Sequence, residues 1–168
     1  MTATRRLYLL RHAQAAAAPV GGRDYDRLLD GQGEADARSL SRTLQAAGTS
    51  FGLVICSGAA RTRGTLACLD AVVHGAEIRF DDTLYEGTDD AYREAATASD
   101  RLDTLIVGHN PAIGSLARSL ARISGVAAAD RLTRGFPTCT LATFRLDDPS
   151  DLKTARLENL LVPPHRPR

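Results

Sequence analysis

Apolar positions in this chain fall in short continuous runs: Leu7–Leu10, Leu53–Cys56 and Thr104–Gly108. Runs of this length read as strands buried on both faces of a sheet. Between them the period turns helical. Asp30 is placed to cap a helix from Gly31 to Ala47, with Leu40, Leu44 and Ala47 as its apolar stripe and Gly48 as its stop. Ala59–Val73 reads as a second helix, with Leu66, Leu69 and Val73 on one side. Glu77–Phe80 reads as a short strand, Leu84–Thr88 as irregular, and Asp90–Ala98 as a helix. Asn110 and Pro111 have the character of N-cap and first-turn residues for a helix carrying Ile113, Leu116, Leu120 and Ile123, ended by Gly125.

Val126–Phe136 reads as a loop, and Thr138–Leu146 and Ala155–Leu161 as strands. No helix-length segment separates these two strands, and Asp147-Asp148-Pro149-Ser150 has turn chemistry, so they are expected to pair antiparallel. Ala15–Arg23 is small and Gly-rich and reads as a loop. Pro163–Arg168 reads as a frayed tail. The predicted fold is a three-layer α/β/α sandwich: a mostly parallel central sheet, helices on both faces, and antiparallel C-terminal strands.

Composition changes this picture little. With 168 residues, 43% hydrophobic and 24% charged, the chain is expected to form a single domain spanning 1–168. It shows no internal repeat, low-complexity tract or linker. The net charge of +1 argues against a nucleic-acid or membrane partner, so an anionic ligand would need a local positive cluster. Cys56, Cys68 and Cys139 lack metal-ligand spacing and read as reduced thiols of a cytoplasmic protein. The apolar run after Arg5-Arg6 is broken at once by Arg11-His12, which is too short for a signal peptide.

Candidate chemistry follows the strands. Arg11 and His12, then Ser57 through Arg61, then His109 each come directly after a predicted strand. Ligands of open α/β sheets bind at the carboxyl ends of strands, so these segments are expected to converge. Arginine forks fit phosphate oxygens, and neutral imidazole can attack phosphorus. Two arginines and two histidines can therefore bind a phosphoryl group and also accept one. No carboxylate cluster for a metal accompanies them, and no cofactor is called for.

Three blocks carry a family resemblance. Leu9-Leu10-Arg11-His12-Ala13 resembles the R-H-G or R-H-A signature of the histidine phosphatase superfamily. Ser57-Gly58-Ala59-Ala60-Arg61-Thr62-Arg63-Gly64-Thr65 is similar to its S-P-x-x-R-A-x-x-T segment, and Val107-Gly108-His109-Asn110-Pro111 to its G-H-N-P block. Phe136-Pro137-Thr138 looks like a segment of the short SixA-like branch, which lacks the insertions of phosphoglycerate mutases. The resemblance implies that His12 is the nucleophile, that Arg11, Arg61 and a protonated His109 hold the phosphoryl group, and that Glu86 lies where some members keep a general acid.

Ser57 has two readings, a donor to phosphate or a cap for the next helix. Arg27 reads as a rim arginine or as a surface charge. His74 and His165 match nothing in the family. Gly58 and Thr62 depart from the family's proline and alanine, and Gly58 is expected to loosen the loop that holds Arg61. The implied activity is a phosphatase with a covalent phosphohistidine intermediate, its substrate a phosphoprotein carrying phosphohistidine. The rival readings are a phosphatase of small sugar or nucleotide phosphates and a non-catalytic phosphate-binding module.

Overall fold

The apolar runs fold as the strands of one six-stranded sheet. In the computed structural model, which describes residues 4–98 and 103–164, these are β1 (Arg5–Arg11), β2 (Leu53–Cys56), β3 (Glu77–Phe80), β4 (Thr104–Gly108), β5 (Leu141–Leu146) and β6 (Ala155–Leu161). Their order is β3-β2-β4-β1-β5-β6. The pairs β2–β3, β2–β4 and β1–β4 are parallel, and β1–β5 and β5–β6 antiparallel. The three-layer arrangement with antiparallel C-terminal strands is thus as the sequence predicted. The tail residues from His165 onward lie outside the described residues.

Strand alternation sends side chains to two separate cores. Leu7, Leu9, Leu53, Ile55 and Ile106 face one side, under α5 (Asp89–Thr97) and α6 (Ala112–Ser124). Tyr8, Leu10, Val54, Cys56, Leu105 and Val107 face the other, under α1 (Gly31–Ala46), α2 (Ala60–Cys68) and α3 (Asp70–Val73). The chain leaves neighbouring strands β1 and β4 for opposite faces, by α1 and α6. That divergence opens a crevice at their carboxyl ends, between His12 and His109.

Several local expectations need correction. The single helix expected over Ala59–Val73 breaks at Leu69 into α2 and α3. Leu84–Thr88, read as irregular, overlaps α4 (Thr83–Glu86), which Gly87 ends in a left-handed conformation at φ 73°. Val126–Asp130, inside the expected loop, is the short helix α7. Asp30 does cap α1, accepting the Gly33 N–H. Asn110 does not cap α6: its Nδ2 donates to the Phe136 carbonyl instead, at 2.9 Å, and the 110–111 peptide is cis.

Among the described residues no helix is long and apolar enough to cross a membrane. Cys56 and Cys139 are buried free thiols, pushed up to about 12 by burial, and Cys68 is half-buried and free.

Candidate active site

His12 follows β1 and is 9% exposed. Its position is fixed by backbone: the His12 N–H donates to the Gly108 carbonyl at 3.0 Å, and its own carbonyl accepts from Cys139 N–H at 3.0 Å. The ring is also fixed. Nδ1 lies 2.7 Å from the Ala13 carbonyl oxygen. A carbonyl only accepts, so Nδ1 carries the proton and Nε2 keeps a lone pair. Arg61 Nε donates to Nε2 at 3.3 Å, which agrees with that tautomer. Burial, with Arg61 and Arg11 nearby, lowers the His12 pKa from 6.5 to about 4, so the imidazole is neutral at neutral pH.

Arg61 sits in the first turn of α2 and is held from both ends. Its carbonyl accepts from Thr65 Oγ1 at 2.7 Å, and the same hydroxyl oxygen accepts the Ala13 N–H at 2.9 Å. Thr65 thereby ties α2 to the turn after β1. At the guanidinium, Nη1 donates to the Asp24 carbonyl at 2.8 Å and Nη2 to Asp24 Oδ2 at 3.0 Å.

His109 follows β4. Its N–H donates to the Tyr92 hydroxyl at 2.7 Å, and that hydroxyl donates to the Leu84 carbonyl at 3.0 Å. His109 Nε2 pairs with Ser57 Oγ at 2.9 Å. The His12 and His109 ring centroids are 5.2 Å apart. Burial first, then His12 and Arg61, lower the His109 pKa to about 3. Desolvation and neighbouring positive charge both favour the neutral form of His109 over the protonated form expected from sequence.

Arg11 ends β1, and its Nη1 donates to the Phe136 carbonyl at 3.0 Å, the oxygen that also holds Asn110. Arg11 Nε and His109 Nδ1 are both buried and lack a hydrogen-bond partner. Buried donors are normally satisfied. Arg11 Nε, which can only donate, and His109 Nδ1 are thus left unpartnered among the paired arginines and histidines of this cluster.

The structure brings Arg11, His12, Arg61, His109 and Ser57 together and leaves Glu86 aside. Ser57 Oγ pairs with His109 and also accepts the Ala59 N–H at 3.4 Å, just before α2. Glu86 is exposed at the end of α4, and no hydrogen bond or ion pair joins it to a described residue. Its neighbour Tyr85 reaches the site instead, edge-on to His109 at 5.5 Å and 5.7 Å from the Arg61 guanidinium carbon. Arg63 stacks over Phe80 at 4.7 Å, away from the cluster.

Three site residues escaped the sequence reading: Asp24, Tyr85 and Tyr92. The only signal in the sequence was the placement of Asp24 three residues before Arg27.

The departures from the family pattern have local reasons. The Tyr25 hydroxyl donates to Asp82 Oδ1 at 2.7 Å, and this bond crosses directly over Gly58. A β-carbon at 58 would overlap both oxygens, so glycine here permits a tie between two loops rather than loosening one. Thr62 Oγ1 lies 2.8 Å from both the Ser57 and Ala59 carbonyls and braces the same loop.

Among the described residues no three of His, Cys, Asp or Glu are grouped to hold a metal ion.

The sequence profile of the histidine phosphatase superfamily (branch 1) matches residues 7–88. An uncharacterised protein of Mycobacterium tuberculosis is 36% identical over 143 residues, covering 82% of this chain and 87% of its own. A solved structure from Agrobacterium tumefaciens, described as the "putative phosphohistidine phosphatase SixA", is 31% identical. It covers 95% of this chain and 98% of its own, with a TM-score of 0.81. A structure from Nakamurella multipartitia with the same description is 33% identical, covers 96% and 97%, and has a TM-score of 0.82.

Proposed function

The chain belongs to the histidine phosphatase superfamily, and from that premise we propose that it is a SixA-like phosphohistidine phosphatase acting on a phosphoprotein through a covalent intermediate at His12. The observation that carries this reading is the His12 tautomer. Its Nδ1 proton is held by the Ala13 carbonyl, and its Nε2 lone pair faces Arg61 in the anion pocket.

In the first step His12 Nε2 forms a bond to phosphorus as the bond to the leaving group breaks. In the second, water forms the new P–O bond, the N–P bond breaks, and the electron pair returns to Nε2. One proton of the water stays on the new hydroxyl of the phosphate, and the other passes to another phosphate oxygen or to solvent. Arg11, Arg61 and His109 surround the phosphoryl oxygens. Fixed donors of this kind contribute about 10²–10³-fold each where charge develops. An arriving phosphate dianion also raises the His109 pKa, which makes it a better donor.

The leaving group favours phosphohistidine. Asp24 is the carboxylate that contacts Arg61, and the hydrogen bond from Arg27 first, then the charge of Arg61 and the Tyr85 hydroxyl, hold it below the usual carboxylate range. It is ionised at neutral pH and has no proton to give an alkoxide. A phosphoramidate nitrogen protonates readily and does not need one. The two SixA-described proteins match nearly the whole chain, which also supports this branch.

The test is to trap the phosphoenzyme in buffer containing EDTA and map its phosphate. Acid-labile, base-stable phosphate on His12, lost in His12→Ala, is expected. A panel of a phosphohistidine-bearing protein, aryl phosphates and sugar phosphates then defines the substrate. Turnover confined to the sugar phosphates would replace the proposed substrate with small phosphomonoesters. Phosphate binding without turnover of any kind would reduce the protein to a binding module.

A further inference from the structure

The segment between β1 and α1 folds back over the site. Its base is pinned where Ala15 pairs with Leu29: the Ala16 N–H donates to the Leu28 carbonyl at 2.9 Å, and the Asp30 N–H to the Gln14 carbonyl at 3.1 Å. Its tip is a single 3₁₀ turn, Asp24–Asp26. The tip is fastened twice to the segment of α4, by Tyr25 to Asp82 and by Tyr85 to Asp24.

From that tip Asp24 meets Arg61 at two points. A guanidinium has two usable edges, one formed by Nε and Nη2 and the other by Nη1 and Nη2. In Arg61 the second edge docks on Asp24, with Nη1 on the carbonyl and Nη2 on Oδ2. The first edge is left facing His12, with Nε 3.3 Å from the nucleophilic nitrogen. Two contacts from one residue fix both the plane and the rotation of the group. Asp24 is itself held: Oδ1 accepts from Arg27 Nη1 at 3.0 Å, and Oδ2 from the Tyr85 hydroxyl at 3.1 Å. Arg61 is nearly buried while the Asp24 side chain is half exposed, so the carboxylate acts from the mouth of the pocket inward.

We propose that Asp24 is a positioning residue of this site: by docking on one edge of the Arg61 guanidinium it aims the other at the phosphoryl group on His12. The proposal rests on the phosphatase reading. A geometry that also fits is a competing one, in which Asp24 occupies Arg61 donors that phosphate must displace. The two roles predict opposite signs.

The test compares wild type with Asp24→Ala and Asp24→Asn, with thermal melts confirming that both variants fold. Misaiming a transition-state contact costs up to about 10²-fold. Asp24→Ala is expected to lose about 10- to 100-fold in kcat with little change in KM, and Asp24→Asn, which keeps an oxygen for Nη2, to lose less. Formate should restore part of the activity of Asp24→Ala by filling the place of the carboxylate, while only inhibiting wild type. Vanadate affinity, measured by calorimetry, should fall in Asp24→Ala.

Unchanged or raised kcat in Asp24→Ala, or tighter vanadate binding, would overturn the proposal and leave the phosphatase reading standing. If no substrate is turned over by wild type, weaker vanadate binding in Asp24→Ala would still support the aiming of Arg61, and the phosphatase reading alone would fail.

Discussion

The Tyr92 hydroxyl accepts the backbone N–H of His109 at 2.7 Å, so a side chain from α5 holds the turn that presents the second histidine. The hydroxyl is buried, and its own proton goes to the Leu84 carbonyl. Tyr92→Phe leaves the His109 N–H and the Leu84 carbonyl without partners. Orphaning a buried group costs about 1–3 kcal/mol. Chemical denaturation should show that loss, and kcat should fall with it because His109 is no longer anchored. Gly108→Ala should be worse, since a β-carbon at 108 would run into the Tyr92 ring.

Stability should fall as pH drops below neutral, and the two site histidines set the window. Their folded-state pKa values lie below the ordinary 6.5, at about 4 for His12 and about 3 for His109. Below pH 6.5 the unfolded chain takes up protons that the native protein refuses. The stability is therefore fully present above pH 6.5 and declines as pH falls, and the His12 share stops declining below about 4. Each histidine contributes a slope of at most about 1.4 kcal/mol per pH unit, less where solvent enters the pocket. Urea denaturation at pH 7, 6 and 5 measures the slope, and His12→Asn should flatten it.

Restoring a side chain at position 58 should weaken the loop that carries Arg61. Gly58→Ala places a β-carbon against both oxygens of the Tyr25–Asp82 bond and forces it open. The bond itself is worth about 0.5–1.5 kcal/mol. The double-mutant cycle with Tyr25→Phe should be non-additive by about 0.5 kcal/mol or more, because both changes remove the same tie. Additive losses would mean that the crowding acts elsewhere.

Glu86→Gln should slow alkyl phosphates, aryl phosphates and phosphohistidine by similar small factors. Loss of a general acid costs about 10²–10⁴-fold, and most on the alkoxide leaving group. The exposed, unbonded carboxylate gives no structural basis for such a contrast. A selective collapse on alkyl phosphates would place Glu86 in the proton path after all.

Strands, layers and the converging blocks were legible along the chain because each is written locally. An apolar run buried on both faces makes β1, β2 and β4, and the residue after each run lands at the edge where ligands bind. Helix breaks were less legible. Nothing in the period of Ala59–Val73 marks the break at Leu69, and α4 is too short to show a period at all.

Asn110 shows why local rules fail near a site. Its N-cap chemistry is real, but the Phe136 carbonyl, brought in from a distant segment and shared with Arg11, claimed its side chain. Gly58 shows the converse: a departure that looked like a loosened loop is a glycine that lets Tyr25 and Asp82, which lie 33 and 24 residues away along the chain, meet above it.

The sequence alone therefore singled out Arg11, His12, Arg61 and His109 as the candidates for the chemistry, since strand ends and motif spacing are properties of contiguous residues. The tertiary structure decided their states and supports: the tautomer of His12, the neutral form of His109, and the bracing of these residues by Asp24, Tyr85 and Tyr92. Tautomers, pKa values and hydrogen-bond partners depend on what surrounds a group at a few ångströms. That surrounding is assembled from segments that no local pattern connects.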